Sequence, residues 1–516
     1  MTSHTASPKA TRREWIGLPV IALPCLLYAM DLTVLNLAVP AISADLNPTA
    51  SQLLWIVDIY GFLVAGWLIT MGTLGDRIGR RRLLLIGAAA FGAASVLAAF
   101  ANTPQTLIVA RAILGIAGAT LAPSTLSLIR NMFLDDRQRT IAIGIWIASF
   151  SAGGAIGPLV GGVLLEYFWW GSVFLAAVPI MVLLLAVGPF LLPEYRDPNA
   201  GKLDIASAAL SLVAVLSAIY AVKRMAEHGP DWLAAAFAVA GIALGWLFVR
   251  RQRRLDDPLI DIGLFRSPAF SGALAVNALS FFAMFGIFLF VAQYLQLVLG
   301  MGPLEAGLWT APSGAAFIIG STIAPAVAHR FRAPYVTATG LLVVVLGFLM
   351  MTQVGGQHSL ALLVGGIVVM SLGMTPVVAL ATDLIVAAAP PERAGAASAV
   401  SETSIEFHGA LGIAVLGSIL TVIYRNTLAD GVLDGLTPSA IQDAGNSLSG
   451  AATVAAGLSG TTKEALLSAA RAAFIDGFVA IAAICAVFVF AAACVTLLLR
   501  DRLQKLPPAG AAVAGG

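Results

Sequence analysis

The residues best placed to do chemistry are carboxylates inside otherwise apolar stretches. Asp31 interrupts the first apolar run, residues 15–42, which is long enough to cross a bilayer as a helix. Glu402 and Glu406 lie four residues apart in a later run, so a helix places them on one face, where two ionised carboxylates repel and titrate as a pair. Because charge is costly in hydrocarbon, such acids usually serve a function. We interpret them as a proton or cation site; a structural hydrogen bond is the alternative for Asp31.

One basic residue, Arg111, falls within a predicted span. A guanidinium keeps its proton, so inside a membrane it needs a carboxylate or carbonyl partner. We expect such a partner for Arg111. A side chain that snorkels to the outer interface is the alternative.

The composition indicates a membrane protein. Of 516 residues, 59% are hydrophobic and 11% are charged, and no soluble globular class has this balance. The net charge of +2 argues against nucleic acid as a partner. The sequence contains no zinc-protease motif, no phosphate-binding loop and no paired Cys or His ligands, so it gives no support for an enzyme or an ATP-driven pump. We expect no metal and no cofactor.

Fourteen apolar runs, each about 20 residues long, predict an all-α polytopic membrane protein. The runs are 15–42, 53–74, 83–100, 107–129, 141–165, 172–192, 205–222, 232–249, 269–297, 305–327, 336–351, 360–386, 397–424 and 472–499. With the N-terminus inside, 23 of the 29 Lys and Arg residues fall in cytoplasmic segments and five, Lys223 among them, in outer loops. This asymmetry follows the positive-inside rule and predicts that both termini are cytoplasmic.

The spans group as six, two and six. We predict an N-terminal six-helix bundle over residues 1–200, two inserted helices and a linker over 201–255, and a C-terminal six-helix bundle over 256–516. The long non-spanning segment 426–467 contains short helical patterns. It is either a helical cap over the outer mouth or a tolerated insertion.

The loop after the second span combines glycines with charges. Gly72 and Gly79 allow close backbone approach, and Asp76 lies beside Arg77 and Arg80. Asp76 can accept hydrogen bonds from a helix N-terminus or from an Arg of a neighbouring segment. We interpret the loop as a latch on an inner gate.

The fifth span carries a block of glycines around one proline. Gly153, Gly157 and Gly161 recur every four residues, and Gly162 and Pro158 complete the block. Such spacing makes a smooth stripe for close helix packing, and proline kinks a helix.

These blocks resemble the motifs of the major facilitator superfamily, and within it the fourteen-span drug/proton antiporter family. The matching stretches are 31–40, 55–60, 72–82, 111–119 and 153–162. The resemblance implies the major facilitator fold with helices in a 6+2+6 order. It also implies that Asp31, Asp58, Glu402 and Glu406 bind protons or substrate.

By the same resemblance, the protein is a multidrug efflux antiporter in the inner membrane of a bacterium, and a monomer. It would export lipophilic cations, namely quaternary ammonium compounds, dyes and biguanides, and the proton gradient would drive it. An exporter of a specific metabolite or neutral antibiotic, or a non-transporting membrane sensor, is the alternative.

Four residues are expected to support the acids. Arg111 would lower the pKa of a nearby carboxyl group, and the rings of Tyr60 and Trp146 would attract organic cations. His408 is expected as a hydrogen-bonded neighbour of the glutamates, with a separate proton carrier as the alternative.

Overall fold

The computed structural model describes residues 9–196, 203–255, 258–387, 394–429 and 437–500. Within these ranges the regular structure is helical, as predicted. The predicted domain limit 200/201 falls within residues 197–202, and the limit 255/256 falls at the edge of residues 256–257; both stretches lie outside the described residues.

A helix corresponds to each of the fourteen predicted spans. They are α1 (Arg12–Leu46), α2 (Ala50–Ile78), α3 (Arg80–Ala99), α4 (Pro104–Met132), α5 (Asp136–Tyr167), α6 (Ser172–Leu191), α7 (Ile205–His228), α8 (Trp232–Gln252), α9 (Pro268–Val298), α10 (Pro303–Arg330), α11 (Ala333–Met351), α12 (Ser359–Ala387), α13 (Ala394–Ala429) and α14 (Gly460–Leu498). In the described part of the chain, thirteen are long and apolar enough to cross a membrane. The remaining one, α10, is 28 residues long.

The helices extend beyond the apolar runs because polar residues cap them. Thr11 begins α1 with a capping box completed by Glu14, and Thr49 begins α2 in the same way with Gln52. These side chains satisfy backbone N–H groups that have no partner inside the helix.

One predicted helix end is wrong in a way that bears on function. α7 continues to His228 instead of ending at residue 222, so Lys223 lies within the helix and is 1% exposed. The prediction ended the span at the first charged residue, but a buried counter-ion allows the helix to continue. Arg111 is therefore not the only basic residue within a span.

The outer segment is helical where it is described. Short helices Pro438–Asn446 and Leu448–Ala456 precede α14, which begins at Gly460 instead of residue 472. The Tyr424 hydroxyl donates to the carbonyl oxygen of Ala444 at 3.0 Å. This contact holds the segment against α13. Residues 430–436 lie outside the described residues.

α5 and α7 each pack against helices from both halves of the protein. α5 packs against α1 and against α10, and α2 packs against α13. These contacts join the first six helices, here called the first bundle, to α9–α14, the second bundle. α7 packs against α8, α2 and α13.

Candidate functional site

Asp31 and Arg111 form an ion pair within the first bundle. Arg111 Nη1 lies 2.5 Å from Asp31 Oδ2, and the two side chains are 1% and 15% exposed. Arg111 Nε also donates to the carbonyl oxygen of Ile56 at 3.2 Å. Arg111 thus has both a carboxylate and a carbonyl partner, and it does not snorkel to the interface.

Glu406 is bonded across the two bundles. The Tyr28 hydroxyl of α1 donates to Glu406 Oε1 of α13 at 2.6 Å. The Tyr28 and Tyr60 ring centroids are 6.0 Å apart, and the Arg111 guanidinium lies 4.5 Å from the Tyr60 centroid. A continuous series of contacts therefore leads from Glu406 through the two tyrosines to the Asp31–Arg111 pair.

Tyr28 was not among the predicted site residues. A tyrosine in an apolar helix carries no sign of its partner in the sequence, because that partner is 378 residues away. The available signal was the position of Tyr28 three residues before Asp31, which places both on neighbouring parts of one helix surface.

A row of aromatic side chains continues from Tyr28 along α5. The Phe150 centroid lies 5.8 Å from Tyr28, and Trp146 lies 4.8 Å from Phe150. Trp146 Nε1 donates to Thr125 Oγ1 at 3.0 Å, which fixes the indole. Trp146 and Phe150 are half-buried, whereas Tyr60 is fully buried against Arg111. Trp146 therefore has the more accessible aromatic surface of the two predicted rings.

The remaining α13 residues differ in their surroundings. Glu402 is exposed and lies one helical turn before Glu406. His408 Nδ1 lies 2.8 Å from the Ser404 carbonyl oxygen and 3.1 Å from the Ser404 hydroxyl. The structure therefore gives His408 a partner in the preceding turn of its own helix instead of the glutamates. Residues 406 and 408 differ by about 200° around the helix axis, which explains the separation.

Asp58 lies apart from the other acids. Its two carboxylate oxygens are 2.9 and 2.7 Å from Lys223 Nζ, and both side chains are fully buried. The Lys223 ammonium also lies 3.7 Å from the Trp55 ring centroid. Asp58 and Tyr60 are two residues apart, so they occupy nearly opposite faces of α2.

Lys223 is the functional candidate that the positive-inside count missed. The count assigned Lys223 to an outer loop, whereas the structure places it within α7. Gly229 and Pro230 follow α7, and this pair is a stronger helix-stop signal than a charged residue.

The motif predicted as a loop, residues 72–82, covers the end of α2, Gly79 and the start of α3, and it is closely packed. Arg80 Nη2 lies 2.5 Å from Asp76 Oδ1, and Arg80 Nη1 donates to the Pro123 carbonyl oxygen at 3.4 Å. Asp76, near the end of α2, thus pairs with the first residue of α3. Arg77 is exposed, and a Cβ on Gly72 would lie 3.8 Å from Pro123.

Gly79, the single residue between α2 and α3, is required where this motif meets the end of α6. Its φ of +111° is in the region that favours glycine, and a Cβ there would overlap the Glu194 carboxylate. Arg81 Nη1 donates to the Pro189 and Leu192 carbonyl oxygens, each at 3.0 Å. Arg81 and Glu194 thus complete a docking point that the motif alone did not reveal.

α1 packs against the glycine stripe of α5. A Cβ on Gly153 would overlap the Leu26 carbonyl oxygen, and one on Gly157 would overlap the Thr33 hydroxyl. A Cβ on Gly161 would lie 2.8 Å from Val34. The predicted close packing is present, and α1 is the partner.

The other side of α5 approaches α10 of the second bundle. A Cβ on Gly162 would lie 2.9 Å from the Leu304 Cα atom, and one on Gly307 would overlap the Pro158 carbonyl oxygen. The glycine block therefore holds α5 between the bundles.

Comparisons with known proteins agree with this architecture. Residues 21–413 match the Major Facilitator Superfamily. The chain is 47% identical to the multidrug efflux pump LfrA of Mycolicibacterium smegmatis, covering 96% of this chain and 98% of LfrA. It is 35% identical to the methyl viologen resistance protein SmvA of Salmonella typhimurium, covering 90% and 93%. It is 30% identical to the tetracenomycin C resistance and export protein of Streptomyces glaucescens, covering 99% and 97%.

A solved structure shares the fold at low sequence identity. It is a bacterial homologue of the human lysosomal transporter Spinster, with a TM-score of 0.65 and 18% identity, covering 97% of this chain and 100% of that one. The chain belongs to the Major Facilitator Superfamily as a multi-pass bacterial membrane transporter, and it is not an enzyme.

Proposed function

We propose that the protein is a proton-coupled multidrug antiporter that exports lipophilic cations in exchange for protons. The cations would include quaternary ammonium compounds, dyes and biguanides. Relatives that cover nearly the whole chain are named as multidrug efflux and methyl viologen resistance proteins, which supports this substrate class. The proposed location is the inner membrane, with both termini cytoplasmic, the proton gradient as the energy source and a monomer as the working unit.

The observation that carries the proposal is the hydrogen bond between Tyr28 and Glu406. It joins a carboxylate of the second bundle to a phenol of the first, and such a bond is strongest when the carboxylate is ionised. A proton on Glu406, or an organic cation beside it, changes the strength of this link between the bundles. Because a ligand shifts a conformational equilibrium only through unequal affinity for its states, this link can couple binding to rocking of the bundles.

The surroundings of Glu406 fit an organic cation. Trp146 and Phe150 form the neighbouring aromatic row, and an aromatic face contributes about 0.5–2 kcal/mol to cation binding. Exposed Glu402 lies one turn closer to the proposed cytoplasmic end of α13. A cation arriving from the cytoplasm would meet Glu402 first and Glu406 second.

Asp31 is the second proposed proton acceptor. Protonation of Asp31 would remove the negative partner of Arg111, whose guanidinium also contacts Tyr60. The contact between Tyr60 and Tyr28 gives a physical route by which Asp31 and Glu406 influence one another. Binding or release of a proton at one of these acids would then depend on whether the other is protonated.

The proposal predicts the behaviour of Glu406→Gln. In inside-out vesicles with an imposed proton gradient, we expect wild-type protein to accumulate ethidium and Glu406→Gln to lose at least tenfold of the initial rate, because glutamine can hold neither a proton nor a cation. Glu464→Gln is the matched control, since Glu464 is exposed in the outer part of α14. Accumulation by Glu406→Gln at the rate of Glu464→Gln would contradict the proposal.

Export of a neutral antibiotic or specific metabolite is the second candidate. The relative named for tetracenomycin C export covers 99% of this chain, which supports it. A binding panel separates the candidates, because a neutral substrate would bind equally to wild-type protein and Glu406→Gln, whereas a cation would not.

A further inference from the structure

The inserted helix α7 contacts both bundles. It packs against α2 and α13, and a small buried cluster joins the three helices through Phe62, Ile219, Ala410 and Ala414. Near the end of α7, the Arg425 guanidinium of α13 donates to the carbonyl oxygen of Glu227. α7 therefore links the second bundle to the first at the proposed outer side.

On the first bundle, α7 is held by a buried ion pair. Lys223 Nζ lies within 2.9 Å of both Asp58 oxygens, neither side chain is exposed, and the Trp55 ring covers the ammonium. Removing one partner of such a pair leaves an uncompensated buried charge, which is far more costly than replacing both partners by neutral groups. The attachment of α7 to α2 therefore depends on the charge of Asp58.

The other titratable groups on these helices and on α8 do not form an ion pair with Lys223 in the described part of the chain. Arg224 pairs with Asp231 at 2.6 Å, and His228 lies 3.9 Å from Glu227. The remaining groups are Tyr60, Asp76 and Arg77 on α2, Tyr220 on α7, Arg250 and Arg251 on α8, and Glu402, Glu406, His408, Tyr424 and Arg425 on α13. Among the described residues, Asp58 is the carboxylate within ion-pair distance of Lys223.

We propose that Lys223 is a positioning residue that holds α7 against α2 while Asp58 is ionised, and that protonation of Asp58 releases this hold. The inference rests on the proposed proton coupling and adds α7 to the moving parts. The proton binds the Asp58 carboxylate, and Lys223 keeps its own proton and charge. Lys223 lies five residues before His228, about 7.5 Å along the helix axis, so its long side chain can reach the outer interface.

Release of α7 would favour separation of the outer ends of α2 and α13. In the structure the outer halves of these helices are in contact, since a Cβ on Gly417 would overlap Leu54. The contact continues towards the middle of both helices, where a Cβ on Gly61 would lie 3.1 Å from Ala410. The Lys223–Asp58 pair then acts as a proton-sensitive clamp on the outer side. The state of this clamp can be measured without a transported substrate, as the distance between the outer ends of α2 and α13.

The test uses spin labels on Ser51→Cys of α2 and Asn426→Cys of α13, with Cys25, Cys485 and Cys494 replaced by alanine. The parent protein also carries Glu406→Gln, so that the Tyr28–Glu406 link does not itself respond to pH. Pulsed electron spin resonance measures their separation at acidic and alkaline pH in lipid nanodiscs. We expect acid to lengthen the distance in the parent protein and in Lys223→Arg, and to cause no change in Lys223→Met. Lys463→Met, at an exposed outer lysine, is the matched control and should respond like the parent.

The same pH response in Lys223→Met and Lys463→Met, or no response in the parent, would overturn the inference. If Lys223→Met does not fold, Asp58→Asn/Lys223→Met removes both charges together and should fold without a pH response; a retained response in this double variant would also overturn it. Failure of the proposed function is separate, because it would appear as absent proton-driven ethidium uptake by the wild-type protein in vesicles.

Discussion

At the scale of single residues, three intramembrane acids have different polar partners. Asp31 is paired with Arg111, Glu406 accepts a bond from Tyr28, and Asp58 is paired with Lys223. The sequence could predict that each acid needs a partner, because unpaired charge is costly in a membrane. It could not identify most of the partners, since these come from helices distant along the chain.

Asp31→Asn tests the first of these pairs. We expect the variant to reach the membrane but to lose ethidium export, and its unfolding free energy to fall by about 3–5 kcal/mol because Arg111 is left without a counter-ion. Asp31→Asn/Arg111→Gln should recover much of this stability without export. Thermal unfolding in detergent and ethidium retention in cells measure the two effects.

The control for this series is Asp443→Asn, since Asp443 is exposed in the outer segment. It should match wild-type protein in both assays. Ethidium export by Asp31→Asn at the wild-type rate would show that Asp31 is not needed for transport.

At the scale of elements, the helices were predictable and their contacts were partly so. Apolar length and capping residues account for the spans, and the glycine spacing of α5 correctly predicted close packing. The predicted end of α7 at residue 222 was wrong, because the sequence does not show that Asp58 is the partner of Lys223. The glycine pattern also could not say that α1 would be the neighbour, because a stripe of small residues fits any helix of suitable shape.

Gly157→Val tests the packing of α5 on α1. The added side chain would overlap Thr33, so we expect a loss of about 1–3 kcal/mol in stability, as overpacking usually produces. Gly154→Val is a matched control on the same helix, because nothing lies within 4 Å of a Cβ at Gly154. Thermal unfolding of the two purified variants should differ, and equal midpoints would show that α1 adjusts without cost.

At the scale of the whole molecule, the bundles meet through a few close contacts. α5 approaches α10, α2 approaches α13, and α7 contacts α2 and α13. Tyr28 and Glu406 add a polar link between the bundles. The rocking motion that the proposed function requires would break or shift these contacts.

Cation-induced proton release from purified protein tests the central claim most directly. Tetraphenylphosphonium is added to detergent-solubilised protein in weakly buffered solution, and a pH dye records released protons. We predict that wild-type protein releases protons in proportion to bound cation and that Glu406→Gln releases fewer, because cation and proton compete for that carboxylate. Saturable cation binding by the wild-type protein without any proton release would contradict the account.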